Sequence, residues 1–215
     1  MFLSIKNVPK VSWSSNKPLN LKPKIQTLFF LCFGLILFGL GEGLLIVSAA
    51  GASPWSVFAQ GIYLNTGFSI GIVTILISGV VLIFWIPLNQ KLGIGTVLNA
   101  LIIGLMIDVC IKFVPTPENY ISQLLLALLA VLTVGLGGGI YLVANLGAGP
   151  RDGLMIGLQK KTNLPIAVVR ATLEVTVMSI GWYLGGTVGV GTLFFAFGIG
   201  PAVALSLYIV GRIFN

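Results

Sequence analysis

Only five acidic residues occur in the 215-residue chain, Glu42, Asp108, Glu118, Asp152 and Glu174, and all but Glu118 fall in or beside apolar segments. A charge in hydrocarbon is expensive, so such a residue needs a partner and is a functional candidate by default. Arg170 and Glu174 stand one helical turn apart in one apolar run. That spacing suits an ion pair, which either holds helices together or serves coupling and gating. Arg151 and Asp152 are neighbours. Arg151 offers a forked donor that matches an anionic group, and Asp152 can neutralise it at rest. Glu42, inside Gly41-Glu42-Gly43, is expected to line a cavity or bond a broken backbone. Ser53 and Trp55 join Arg151, Asp152 and Glu42 as candidate substrate contacts, with Gln60 as a further pocket residue. For Trp55 an interfacial anchor is the competing reading. Asp108 reads as a solvated end of its run, and Asn99 as a hydrogen-bonding link between helices.

Several chemistries are excluded or unsupported. The chain has no histidine, which removes a His-based triad or a zinc site built on histidine. Cys32 and Cys110 lie within apolar runs and read as buried small hydrophobes. No phosphate loop, metal cluster or nucleophile with a positioned base is recognisable. The chain is therefore expected not to be an enzyme and to carry no cofactor and no metal.

The stretch that positions these residues is Gly147-Ala148-Gly149-Pro150-Arg151-Asp152, and it has a twin, Gly51-Ala52-Ser53-Pro54-Trp55-Ser56, 96 positions earlier. The same offset aligns Gly39, Gly41 and Gly43 with Gly135, Gly137 and Gly139. It also aligns Gly93, Gly95 and Thr96 with Gly189, Gly191 and Thr192. A fixed period of this kind marks an internal repeat. Ser53 and Gly149 each precede a proline, the pattern of an N-cap followed by proline in the first turn. Free N–H groups at such a helix start attract anions. The glycines at spacing four, Gly39 and Gly43 or Gly135 and Gly139, suit close helix packing; the competing reading is a pliable segment beside a substrate.

Composition sets the class. The chain is 57% hydrophobic and 8% charged, against about 25% charged in soluble domains. The fold class is all-α, a polytopic membrane protein. Six runs reach the roughly 20 residues that cross a bilayer: 25–48, 68–88, 94–114, 121–144, 166–184 and 190–213. Two shorter segments, 54–65 and 150–161, read as re-entrant or interfacial helices. Ser48-Ala49-Ala50 looks like a signal cleavage site, but the run before it exceeds the 7–15 residues of a signal core, so the first span is read as uncleaved. The division is then 1–24, a basic cytoplasmic tail; 25–118, membrane repeat 1; and 119–215, membrane repeat 2. With the N-terminus inside, eleven Lys and Arg fall on the cytoplasmic side and only Lys112 outside. Three spans per repeat then make the second copy inverted relative to the first, a recurrent plan of secondary transporters. The net charge of +7 sits at segment ends and in the tail, and implies no nucleic acid.

The chain resembles the YczE-like bacterial membrane proteins, grouped with the YyaS and YitT types. The resemblance rests on Gly51-Ala52-Ser53-Pro54-Trp55, Gly95-Thr96-Val97-Leu98-Asn99 with Gly104 and Asp108, and Pro115-Thr116-Pro117. It extends through Gly147-Ala148-Gly149-Pro150-Arg151-Asp152-Gly153, Val169-Arg170 with Glu174, and Gly189 to Pro201. It covers most of residues 35–205 and implies a multi-spanning plasma-membrane protein without naming a substrate. The tail 1–24 is longer than the family pattern implies.

The functional expectation is a secondary transporter or permease for a small, anionic solute, its site midway between the repeats. The alternative is a non-transporting scaffold or regulator that packs against a partner. The expected partners are the lipid bilayer and a small solute. If both termini are cytoplasmic, cysteines placed at Lys17 and Asn215, with Cys32 and Cys110 replaced, should resist impermeant thiol reagents in intact cells. A labelled terminus would contradict the six-span arrangement.

Overall fold

A computed structural model describes residues 8–214; Lys6 of the expected tail and Asn215 lie outside the described residues. Eight helices, and no strand, occur among the described residues. They are α1 (Ile25–Val47), α2 (Pro54–Thr66), α3 (Ile70–Trp85), α4 (Ile94–Phe113), α5 (Tyr120–Ala144), α6 (Pro150–Thr162), α7 (Ile166–Tyr183) and α8 (Val190–Phe214). Five are long and apolar enough to cross a membrane, and there are six when the pair α2–α3, bent by 114° at its junction, is counted as one span. The chain is a multi-spanning membrane protein. The second expected span ends early, at Trp85: the Ile86 N–H turns to the Ile83 carbonyl in a tighter last turn, and Pro87 has no N–H with which to continue the helix.

The helices recur at the offset seen in the sequence, α2 from 54 and α6 from 150, α3 from 70 and α7 from 166, α4 from 94 and α8 from 190. Backbone geometry recurs with them. Every positive φ among the described residues belongs to a pair at that offset: Ala49 and Asn145, Gly51 and Gly147, Gly67 and Asn163, Asn89 and Gly185. Gly51 and Gly147 hold φ values of 119° and 116°, a region that side chains rarely enter.

The glycines decide which helices touch. Gly34 and Gly41 of α1 lie against the α5 backbone at Gly137, Tyr141 and Val134. Gly39 and Gly43 receive α4 at Ile103 and Cys110, while Gly135 and Gly139 receive α8 at Ala202 and Ser206. Close packing is therefore their role, the small-residue seam of membrane helices. The long helices α4, α1, α5 and α8 are joined through these seams. The shorter ones exchange neighbours: α2 packs on α7, and α6 on α3.

The segment read from the sequence as a free tail is packed over its middle. Trp13 is buried, stacked on Phe30 at 4.4 Å and edge-on to Phe214 at 5.9 Å. The Ser15 N–H donates to the Ala144 carbonyl at 3.1 Å, and the Asn145 amide to the Ser15 carbonyl at 2.8 Å. One indole with this much apolar surface is enough to hold a polar segment across helix ends.

The two units differ at one seam. Asp108, read from the sequence as a solvated span end, instead latches α4 to α3. It accepts hydrogen bonds from the Ser69 hydroxyl and, at 2.7 Å, from the Gly71 N–H. Gly71 and Gly104 allow the backbones to meet there. The counterparts of Ser69, Gly71 and Asp108 are Pro165, Ala167 and Ala204, which supply no such latch. Gly200, the counterpart of Gly104, faces open space. Asp108→Asn should therefore cost about 1.5–3 kcal/mol, the range for a hydrogen bond to a charged group, read as a lower melting temperature of the purified protein. An unchanged melting temperature would show that the seam does not depend on the carboxylate.

Candidate functional site

Each short helix is more buried in its first half than at its end, although in the first turn of α6 Arg151 is half-buried and Asp152 exposed. Pro54 to Val57 are buried and Tyr63 to Thr66 exposed; Gly153 to Met155 are buried and Lys160 to Thr162 exposed. Proline supplies the first turn of each, after Ser53 or Gly149 in extended geometry. The loops before them are held reciprocally. The Gly95 N–H donates to the Leu146 carbonyl at 2.8 Å, and the Gly191 N–H to the Ala50 carbonyl at 2.7 Å. The Thr96 hydroxyl adds a bond to the Ala148 carbonyl at 2.7 Å. Trp85 fixes α6 from α3, its indole N–H donating to the Pro150 carbonyl at 2.9 Å.

The two helix starts open on a cavity of about 260 Å³ to which all eight helices contribute. Glu42, Ser53, Trp55, Arg151, Asp152, Arg170 and Glu174 all line it. These seven candidates, more than 130 positions apart from Glu42 to Glu174, thus lie around one cavity. Gln60 is elsewhere, its side-chain oxygen accepting from the Thr187 N–H at 3.1 Å. Asn99 lines the cavity beside Gly149. The remaining wall is largely apolar, including Phe38, Ile103, Met155, Phe195 and Ile199.

The polar groups are partnered unevenly. Glu42 is 1% exposed. Its Oε2 accepts from the hydroxyls of Ser53 and Ser56, each at 2.7 Å, while its Oε1 has no hydrogen-bond partner. A carboxylate of the protein itself therefore sits at the start of α2. The counterparts of Glu42, Ser53 and Ser56 are Gly138, Gly149 and Asp152, so α6 has no carboxylate reaching it from α5 and carries one, Asp152, within its own first turn. There the N–H groups of Arg151 and Asp152 lie in the first turn, where a helix has no acceptor of its own.

Arg151 and Asp152 do not form a direct ion pair. Asp152 accepts the Tyr141 hydroxyl at 2.5 Å, and among the described residues no acidic oxygen lies within 4.0 Å of the Arg151 guanidinium. Arg151 instead lies over the Trp55 ring, 5.2 Å from its centroid, an attraction of the cation to the ring face. The indole N–H of Trp55 is buried without a partner. Arg170 and Glu174 do pair, at 2.8 Å. Tyr141, Trp85 and Ser56 were not singled out from the sequence. Aromatic residues in apolar runs read as packing, and only the contacts of the folded chain give Tyr141 and Trp85 their polar tasks.

Comparison with known proteins agrees with the resemblance. Residues 25–207 match a family of unknown function, DUF6198. The chain is 40% identical over 209 residues to an uncharacterized protein of Haemophilus influenzae, covering 97% of this chain and 95% of that one. It is 34% identical over 176 residues to the uncharacterized membrane protein YczE of Bacillus subtilis, covering 81% and 82%. It is 28% identical over 165 residues to the uncharacterized protein YyaS of the same organism, covering 74% and 82%. No solved structure matches the chain.

The Arg170–Glu174 pair gives a direct test of its own strength. Its side chains are 46% and 19% exposed, so it is worth less than a fully buried pair, about 0.2–1 kcal/mol. Arg170→Gln and Glu174→Gln should each lower stability slightly, and the double variant should recover that coupling in thermal unfolding. Strict additivity would mean that the two side chains do not interact in solution.

Proposed function

The chain belongs to the family of unknown function DUF6198, and on that premise we propose that it is a secondary transporter, a permease for a small organic anion. The observation that carries this reading is the unpaired Arg151 guanidinium in a cavity between the two units, at the start of α6. A fixed cation beside free helix N–H groups in a low-dielectric site favours an anionic ligand. The apolar wall suits a ligand with a hydrocarbon body. The cavity reaches Glu174, which supports transport over a scaffold with a dry, glycine-packed interior.

On this reading the units are inverted repeats. The reciprocal bonds, Gly95 to Leu146 and Gly191 to Ala50, exchange between units as a two-fold axis requires. Trp55 and Arg151 are counterparts 96 positions apart and touch each other, as residues beside such an axis do. Three spans per unit turn that axis into the membrane plane. The short helices are re-entrant, because their buried ends are the N-terminal ones. In a plasma membrane with both termini cytoplasmic, the Asp108 latch closes the outer side of the cavity. The unlatched α7–α8 seam, flanked by Arg170 and Glu174, faces inward. Closing that seam over Gly200 while releasing α3 from Asp108 would expose the site to the other side.

Ligand binding tests the reading. Among propionate, isocaproate and 3-phenylpropionate, at least one should raise the melting temperature of purified wild type in a concentration-dependent way. Arg151→Ala should abolish the shift. Arg151→Lys, which keeps the charge and loses the fork, should weaken binding about tenfold, near the worth of one hydrogen bond. Equal binding by wild type and Arg151→Ala would remove the support for an anion site.

A further inference from the structure

Charge bookkeeping in the cavity narrows the ligand class. Five ionisable side chains of acidic or basic type line it: Glu42, Asp152, Glu174, Arg151 and Arg170. Arg170 and Glu174 satisfy each other at 2.8 Å. Asp152 is held by the Tyr141 hydroxyl. That leaves one cation, Arg151, and two carboxylates, Glu42 and Asp152, on one cavity without an ion pair among them, and of the two carboxylates Asp152 has its hydroxyl partner while Glu42 keeps a free oxygen. Two further facts mark Arg151 and Glu42 as recognition groups. Glu42 is 1% exposed and keeps one oxygen without any partner. Trp55, under the Arg151 guanidinium, keeps a buried N–H without any partner.

The unmet groups are therefore donors on the Arg151 side and an acceptor at Glu42. A simple anion answers only half of this. It would pair with Arg151 but use up the one free cation, leaving Glu42 unmatched and both Glu42 and Asp152 without a counter-charge. A buried carboxylate without a counter-charge is strongly disfavoured. A neutral hydroxyl on the ligand would supply a hydrogen bond to Glu42 but not the charge. An ammonium group supplies both.

We infer that the ligand is a zwitterionic amino acid, its carboxylate on Arg151 and the start of α6 and its ammonium group on the free oxygen of Glu42. This rests on the anion-site reading above and extends it to a second pole. Glu42 is then a substrate-recognition residue, anchored through its other oxygen by Ser53 and Ser56. The unit asymmetry follows: Arg151 replaces Trp55 at one pole, and Glu42 replaces Gly138 at the other.

The test compares amino acids with the acids that lack the amine, by thermal shift and calorimetry on the purified full chain. Alanine, leucine and 4-aminobutyrate are set against propionate, isocaproate and butyrate, with isopentylamine as leucine without its carboxylate. At least one amino acid should bind about tenfold or more tighter than its deaminated partner, the scale of a charge-assisted hydrogen bond. Glu42→Gln should reduce that preference to near unity, and Glu42→Asp should keep part of it. The wild-type comparison stands even where a Glu42 variant fails to fold. If each acid binds as well as its amino acid, and does so through Arg151, the inference is overturned while the anion site stands. If isopentylamine binds as well as leucine, and equally to Arg151→Ala, the anion site itself falls. No binding by any amino acid overturns the inference.

Discussion

Within an apolar medium every backbone N–H and C=O must find a partner, and a helix that breaks there exposes several at once. The chain breaks twice, at Ser48–Ser53 and Asn145–Gly149. The reciprocal bonds from Gly191 to Ala50 and from Gly95 to Leu146 satisfy carbonyls in both breaks. Each break is thus stabilised by the opposite unit, and neither would be tolerable alone. The interlock brings the starts of α2 and α6 into one interior, and the cavity is the space between them.

Once the breaks are fixed, function concentrates where the units depart from one another. The first helix start is already served by a protein carboxylate, Glu42, through two serine hydroxyls. The second has Gly138 in place of Glu42 and carries both Arg151 and Asp152 in its first turn. One seam is latched by Asp108 and the other, with Ala204 in its place, is not. A perfectly symmetric pair would have a cavity without polarity and two seams of equal strength. The substitutions at Glu42 and Arg151 place charged side chains of both signs on the cavity, and Asp108 bonds α4 to α3 where Ala204 leaves α8 without such a bond.

The interior also divides between close-packed glycine seams and a polar cluster. Glycines set the distance between α1 and α5 and seat α4 and α8. That scaffold leaves no freedom for long side chains along its seams. The polar groups gather instead around the short helices, where their oxygen and nitrogen atoms have both a helix end and a neighbouring wall to meet. Trp85 and Tyr141 join the two regions, each with its ring packed among helices and its polar atom bonded at the start of α6.

The sequence by itself determined the membrane class, the positions of the spans and the repeat, because hydrophobic runs, proline and glycine act locally and recur at a fixed offset. It also marked Glu42, Arg151, Asp152, Arg170 and Glu174, because an ionisable group in an apolar run stands out by type alone. The pairing of Arg170 with Glu174 was legible for the same local reason, one turn of helix. Partners far apart in the chain were not. Asp152 adjoins Arg151 in sequence, yet its oxygen goes to Tyr141 and the guanidinium to Trp55. Asp108 lies near a helix end and still serves as a latch, and Trp13 turns a polar tail into a packed segment. Those outcomes depend on which helix faces meet, and hydrogen bonding and dispersion act over a few ångströms of space without regard to distance along the chain.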